Sequence, residues 1–386
     1  MNTPASIKSD RSPSSQTRPA GRAGLKNGLL VGVALALLGW AIWTNRVEIN
    51  QVLQRPLDPV AWASAFGIYF VGLILTFSRW HTLVRALELP FAYRDALRLG
   101  FIGNVFNLVI PGAVGGDVIK GAFFCREQTR KRNTRAIASI VMDRILGLTG
   151  LFLLGALAGA WGWSAAAPQT RLVILSVVLM LGCGFIAIAI MFTPTLFRPI
   201  NRRLQNRPRL QGIVVELEFM ASCYRKRLPL VFGMLAVSAF IHGLNVLAFA
   251  LVSRSLFAED PNLPDFAAHF VLTPLVLFSL AIPLPFGALG VGEQVGRQLF
   301  ELVGYTGGGV AMMGFRVVMY FGGFVSLLVY LANLAQVRKL SHAAETLDLE
   351  HALVPDAPDP EMLAAVETED EGVVVSMDPD SSQTQV

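Results

Sequence analysis

Residues 111–117 read PGAVGGD and residues 286–293 read FGALGVGE, and each signature carries a charge-free stretch, 99–116 or 266–292, to an acidic residue, Asp117 or Glu293. Crossing a bilayer takes about 20 apolar residues, whereas Pro and Gly clusters at that depth survive only where protein or a water-filled cavity satisfies the freed backbone groups. Six further charge-free stretches lie at 27–45, 59–78, 145–170, 172–197, 228–253 and 317–337. Together they predict an all-α polytopic membrane protein with about six full transmembrane helices and two broken helical segments.

Composition agrees, since 53% of the residues are hydrophobic and only 15% charged, against about 25% charged in an ordinary soluble domain. Residues 1–27 are basic and polar and predict a disordered cytoplasmic N-terminus ahead of a retained first helix at 28–44. Residues 342–386 hold 12 acidic residues and no Lys or Arg. The segment 341–386 is therefore expected to be a disordered acidic cytoplasmic tail, with the transmembrane domain at 28–340. Cys125, Cys183 and Cys223 have no metal-ligand spacing, and no disulfide framework, metal site or cofactor is expected.

Basic residues set the orientation. Lys and Arg number five in 1–27, four in 79–98, five in 125–135, eight in 194–228 and two at 338–339, against two, one and one in 46–58, 163–171 and 254–265. Both termini are thus expected in the cytoplasm. That assignment requires 99–124 to enter and leave from the cytoplasmic side, and 266–305 to do the same from the other face. The expected hairpin-forming residues are Asn107, Pro111, Gly112, Gly115 and Gly116 in the first, and Pro285, Gly287 and Gly290 in the second. The two re-entrant hairpins, each between two helices, make an inverted repeat, the architecture of many secondary transporters.

Ionisable residues at membrane depth cost about 2.5–3.5 kcal/mol each on insertion scales and so call for an explanation. They are Asp117, Lys120, Asp143, Arg144, Glu293, Arg297, Glu301 and Arg316. Glu293 and Arg297, spaced i,i+4, predict an ion pair on a helix whose face Glu301 continues. Asp143 is expected to fix the rotamer of Arg144 for bidentate phosphate binding, the alternative being an Arg144 that snorkels to the interface. Asp117 either caps a helix restarting after Gly115 and Gly116 or joins Lys120 in an anion site at that helix N-terminus. Asn104 and Asn107 suit hydrogen bonding to hairpin backbone. His81, His242 and His269 are isolated and suit packing roles. The clusters at 126–135 and 198–209 fit the positive-inside rule and anionic lipid better than nucleic acid, and no Walker A, GxSxG or nucleotide fingerprint is present.

Arg79-Trp80, the run from Asn107 through Pro111, Gly112, Gly115, Gly116 and Asp117 to Lys120, the group Asp143, Arg144, Gly147 and Leu148, and the run from Pro283 through Pro285, Gly287, Leu289 and Gly290 to Glu293 occur in that order. With these motifs, residues 28–340 resemble the lysylphosphatidylglycerol synthase transmembrane-domain family. The resemblance implies a prokaryotic inner-membrane protein similar to the flippase half of the multi-peptide resistance proteins. The acidic stretch after residue 340 is not expected to supply the aminoacyltransferase domain of the full synthases, and Phe286 and Ala288 depart from the more Gly-rich second motif of relatives.

A flippase-like lipid transporter is the preferred expectation, with Lys120, Arg144 and Arg297 on an anionic phosphate headgroup and Asp117, Asp143 and Glu293 either orienting them or binding a cationic headgroup or a coupling proton. A membrane-embedded transferase and a non-transporting scaffold are the alternatives. Membrane lipids are the expected partners; a homo-oligomer and a partner enzyme of lipid biosynthesis stay open, as do cargo, direction and energy source.

Overall fold

The computed structural model describes the chain from residue 32 to 334 apart from 33–34, 55–56, 110–114, 128–132, 165, 194–198, 200–207, 258–259 and 283–287; residues 1–31 and 335–386 also lie outside the described residues. The described residues are mostly helical, with no strand among them. The helices are α1 (Leu35–Thr44), α2 (Arg46–Leu53), α3 (Pro59–Ala86), α4 (Tyr93–Val109), α5 (Gly115–Glu127), α6 (Asn133–Gly162), α7 (Pro168–Met191), α8 (Pro208–Lys226), α9 (Leu228–Leu256), α10 (Phe266–Ser279), α11 (Val291–Glu301) and α12 (Gly308–Ala332). Helices α3, α6, α7, α9 and α12 are long and apolar enough to cross a membrane, and α1 and α10 are shorter apolar helices. The chain is thus an all-α polytopic membrane protein.

Local chemistry sets the helix starts. Asp58 caps α3 by accepting from the amides of Val60 and Ala61 at 2.9 and 3.2 Å, ahead of Pro59 at the first turn. Asp265 caps α10 by accepting from the Ala268 amide at 2.8 Å. A side-chain oxygen placed there satisfies donors that the first helical turn leaves unpaired. Helix α3 does not stop where its charge-free stretch ends at Ser78 but runs on to Ala86, because neither Gly nor Pro intervenes before Pro90.

Helices α3 and α9 lie antiparallel, with Arg79 on Ser238, Gly72 beside Asn245 and the Asp58 amide on Ser255. The chain therefore leaves α3 for α4 and α5 at one end of the bundle and leaves α9 for α10 and α11 at the other. Both short pairs are antiparallel hairpins. In the first, Asn107 meets Gly116 while Gly103 meets Lys120; in the second, Leu280 meets Gly292 while His269 meets Phe300. The principal contacts of α3 are with α4, α6, α9 and α12, and those of α9 are with α10, α12, α3 and α6. Helix α6 also packs on α5 and α10, just as α12 packs on α11 and α4. Exchanging α3 to α6 with α9 to α12 in order leaves this set of contacts unchanged; the remaining principal contacts involve α7 and α8.

Two cores occupy opposite ends of α3. Trp80, Phe91, Phe124, Met142 and Tyr224 lie in one, and Phe249, Phe300, Tyr305 and Phe315 in the other. Between lipid-immersed helices, close packing replaces the hydrophobic effect as the source of attraction, and small residues permit it. Gly150 supplies such a contact between α6 and α9, for a Cβ there would fall 2.3 Å from that of Ser238.

Candidate functional site

The first hairpin assembles a cluster of charge inside the bundle. The Asn107 side chain accepts from the Gly116 amide at 2.9 Å and ties α4 to the start of α5. Gly116 has to be glycine, since a Cβ would fall 2.0 Å from the Gly103 carbonyl oxygen. That approach sets Asp117 in the first turn of α5 facing α6, where Arg144 donates to one carboxylate oxygen and Lys120 Nζ lies 3.1 Å from the other. The Lys120 ammonium also sits 5.3 Å above the Trp80 ring. The Asp117 side chain keeps only 7% of its surface exposed, whereas that of Arg144 keeps 44%. A buried carboxylate thus holds a cation that remains reachable from outside the bundle.

Asp143 does not meet Arg144. It accepts from Arg79 Nε of α3 at 2.8 Å, while the same guanidinium donates to Ser238 Oγ of α9 at 2.7 Å and to the Asp143 carbonyl at 3.2 Å. Successive residues on an α-helix point about 100° apart, so Asp143 and Arg144 serve different neighbours. Gly147, one turn on, admits this arrangement: a Cβ there would stand 3.2 Å from Arg79 Nη2, and its carbonyl receives His242 Nε2 at 3.0 Å. Arg79 is the residue that counting charge-free stretches misses, because it reads as the first charge of a loop. Its signal is the absence of any helix breaker between Ser78 and Pro90.

The second hairpin repeats the pairing of an acid in the first turn with an arginine of the next long helix. Glu293 bonds Arg316 of α12, with Nε to Oε1 at 2.6 Å and Nη2 to Oε2 at 3.2 Å, and accepts from the Gly290 amide at 2.7 Å. Gly290 takes φ +87°, a conformation that favours glycine, and a Cβ on it would fall 2.4 Å from the backbone of Leu37. This pair is sealed, at 0% exposure for the Glu293 side chain and 4% for that of Arg316. The expected Glu293–Arg297 pair does not form. Capping Gly290 turns the Glu293 carboxylate back towards the helix start, and Arg297 bonds Glu301 at 2.7 Å and the Thr44 carbonyl at the end of α1.

Of the residues singled out from sequence, Asp117, Lys120 and Arg144 come together; Asp143 stands behind them with Arg79; Glu293 belongs to the second pair; and Arg297 fastens α1. Gly115 opens α5. Pro111, Gly112, Pro285 and Gly287 lie outside the described residues. Asn104 bridges α4 to Ser326 of α12 at 3.0 Å, so it ties helices rather than hairpin backbone. The groups brought together are one carboxylate and two cations.

The sequence pattern of the lysylphosphatidylglycerol synthase TM region matches residues 28–328. The chain belongs to that family. Similar proteins include a UPF0104 membrane protein of Pyrococcus horikoshii, 22% identical over 53% of this chain and 57% of its own length. Another is a UPF0104 membrane protein of Methanothermobacter thermautotrophicus, 23% identical over 77% of this chain and 96% of its own length. The chain thus spans little more than half of the first relative and nearly all of the second. The family match takes in both hairpins and both acid–arginine pairs, so the lysylphosphatidylglycerol synthase TM region is the part of the chain that carries the candidate site.

Proposed function

We propose that this protein translocates a lipid bearing an anionic phosphate headgroup between leaflets of the cytoplasmic membrane, with both termini in the cytoplasm. The observation that carries the reading is the Asp117–Arg144 pair: a charge held inside an apolar bundle by a buried acid, with nearly half of its side-chain surface accessible. An arginine fork suits a phosphate oxygen pair, and charge at membrane depth is a functional signal. The antiparallel α3 and α9, the hairpins leaving from opposite ends and the contact set that survives exchange of the two units support an inverted repeat with re-entrant hairpins. In such a fold the headgroup crosses between the units while the acyl chains stay in lipid.

The test is dithionite quenching of nitrobenzoxadiazole-labelled phosphatidylglycerol and phosphatidylcholine in proteoliposomes. Wild-type protein is expected to expose inner-leaflet phosphatidylglycerol preferentially, and Arg144→Ala is expected to abolish the effect. No protein-dependent exposure of either lipid, or exposure unaltered by Arg144→Ala, would overturn the proposal.

A further inference from the structure

Arg144 and Arg316 occupy matching places in the two units, each opposite the first-turn acid of a hairpin, and Gly150 and Gly322 follow them at the same spacing with matching close contacts to Ser238 and Tyr69. The residue before each arginine differs. In the second unit it is Phe315, 1% exposed, with its ring 5.7 Å from Phe249 of α9 and 6.0 Å from Tyr69 of α3. In the first it is Asp143, held by Arg79 of α3, which is itself anchored on Ser238 of α9. Both side chains dock onto α3 and α9, one through rings and the other through an ion pair.

We infer that Arg79 is a positioning residue that acts through Asp143 to set the rotation of α6, and so turns Arg144 onto Asp117 at the accessible end of the first hairpin. The reason is angular. Fixing residue 143 against the α3 and α9 axis leaves residue 144 about 100° further round the helix, facing α5. Arg79 reaches three acceptors on two helices from one planar group, namely Asp143 Oδ1, the Asp143 carbonyl and Ser238 Oγ. A lysine at 79 keeps the charge but has a single point to offer, so it cannot hold all three in that geometry. Phe315 needs no such partner because shape alone locks it.

The inference rests on Arg144 being the lipid-phosphate contact, but its structural half is tested independently. Gly121 of α5 faces Ile140 of α6, with a Cβ at 121 lying 3.5 Å from Ile140 Cδ1, and Ile140 precedes Arg144 by one turn on the same face. In a background with Cys125, Cys183 and Cys223 changed to Ser, the pair Gly121→Cys/Ile140→Cys is cross-linked with a short bifunctional thiol reagent. Adding Arg79→Lys is expected to cut the cross-linking yield severalfold without unfolding the detergent-solubilised protein. Without the cysteine pair, Arg79→Lys should raise the phosphatidylglycerol concentration for half-maximal translocation about tenfold while leaving the maximal rate within about twofold. The neutral pair Arg79→Gln/Asp143→Asn, which keeps hydrogen-bonding capacity, should restore the cross-link. An unchanged yield in folded Arg79→Lys would overturn the inference whether or not the protein moves lipid. A fall in thermal stability alone, with yield and half-maximal concentration as in wild type, would reduce Arg79 to a structural role and overturn it equally.

Discussion

Two acid–arginine pairs built alike differ in burial, and burial decides what each contributes. The Glu293–Arg316 pair is sealed, so its charges interact unscreened but would each be costly alone. Removing one partner of a buried pair typically costs about 3–5 kcal/mol because the other charge is left uncompensated. Glu293→Gln is therefore expected to lower the thermal unfolding midpoint of the detergent-solubilised protein markedly. Arg144 is half out of the bundle, and Asp117 keeps Lys120 when Arg144 is removed. Because Lys120 stays 3.1 Å from the Asp117 carboxylate, that acid is not left uncompensated as Arg316 would be, so Arg144→Ala should lower the midpoint less than Glu293→Gln while abolishing lipid exposure. Equal losses of midpoint in the two variants would show that the 44% exposure does not describe how Arg144 is solvated. The ionisable residues themselves were legible from sequence because charge in an apolar run stands out. Their partners were not: the i,i+4 rule assigns Glu293 to Arg297, but the capping demand of Gly290 redirects it, and nothing in the spacing names Arg316.

Helical elements were legible where hydropathy and charge agree, as in the α9 segment, expected at 228–253 and found at Leu228–Leu256. The limits of α3 were less so, since charge marks where a segment leaves the apolar phase, whereas a helix ends only where hydrogen bonding or sterics end it. At Gly103 and Gly116 the sequence shows only small residues, and the structure gives the reason for one of them in the backbone approach that locks the first hairpin. Gly116→Ala must push α4 and α5 apart and should destabilise the protein or abolish its expression. Gly182 in α7 supplies the contrast, with nothing among the described residues within 4 Å of a Cβ placed there. Replacing a helix-interior glycine by alanine gains about 1 kcal/mol of helix propensity, so Gly182→Ala should be neutral or mildly stabilising. Thermal unfolding of the two variants side by side checks both, and a destabilised Gly182→Ala would mean that α7 has a neighbour beyond the described residues.

For the whole molecule, the contacts of α3 to α6 match those of α9 to α12 under exchange, and that matching depends on packing that no short motif reveals. What remains to be set in space is which end of the bundle faces the cytoplasm, and Cys223 provides a reporter. It lies near the end of α8, beside Arg225, Lys226 and Arg227, and basic flanks assign that end to the cytoplasm. Burial first, and then the Glu88 carboxylate, raise its thiol above the usual cysteine range. Only the thiolate reacts with maleimides, so labelling should be slow at neutral pH and accelerate beyond the pH at which a free cysteine has levelled off. With Cys125 and Cys183 changed to Ser, a membrane-impermeant maleimide should label inverted membrane vesicles and spare right-side-out ones at every pH. The opposite sidedness would turn the bundle over, placing the accessible Arg144 cluster on the outer face and reversing the leaflet from which a headgroup first reaches it.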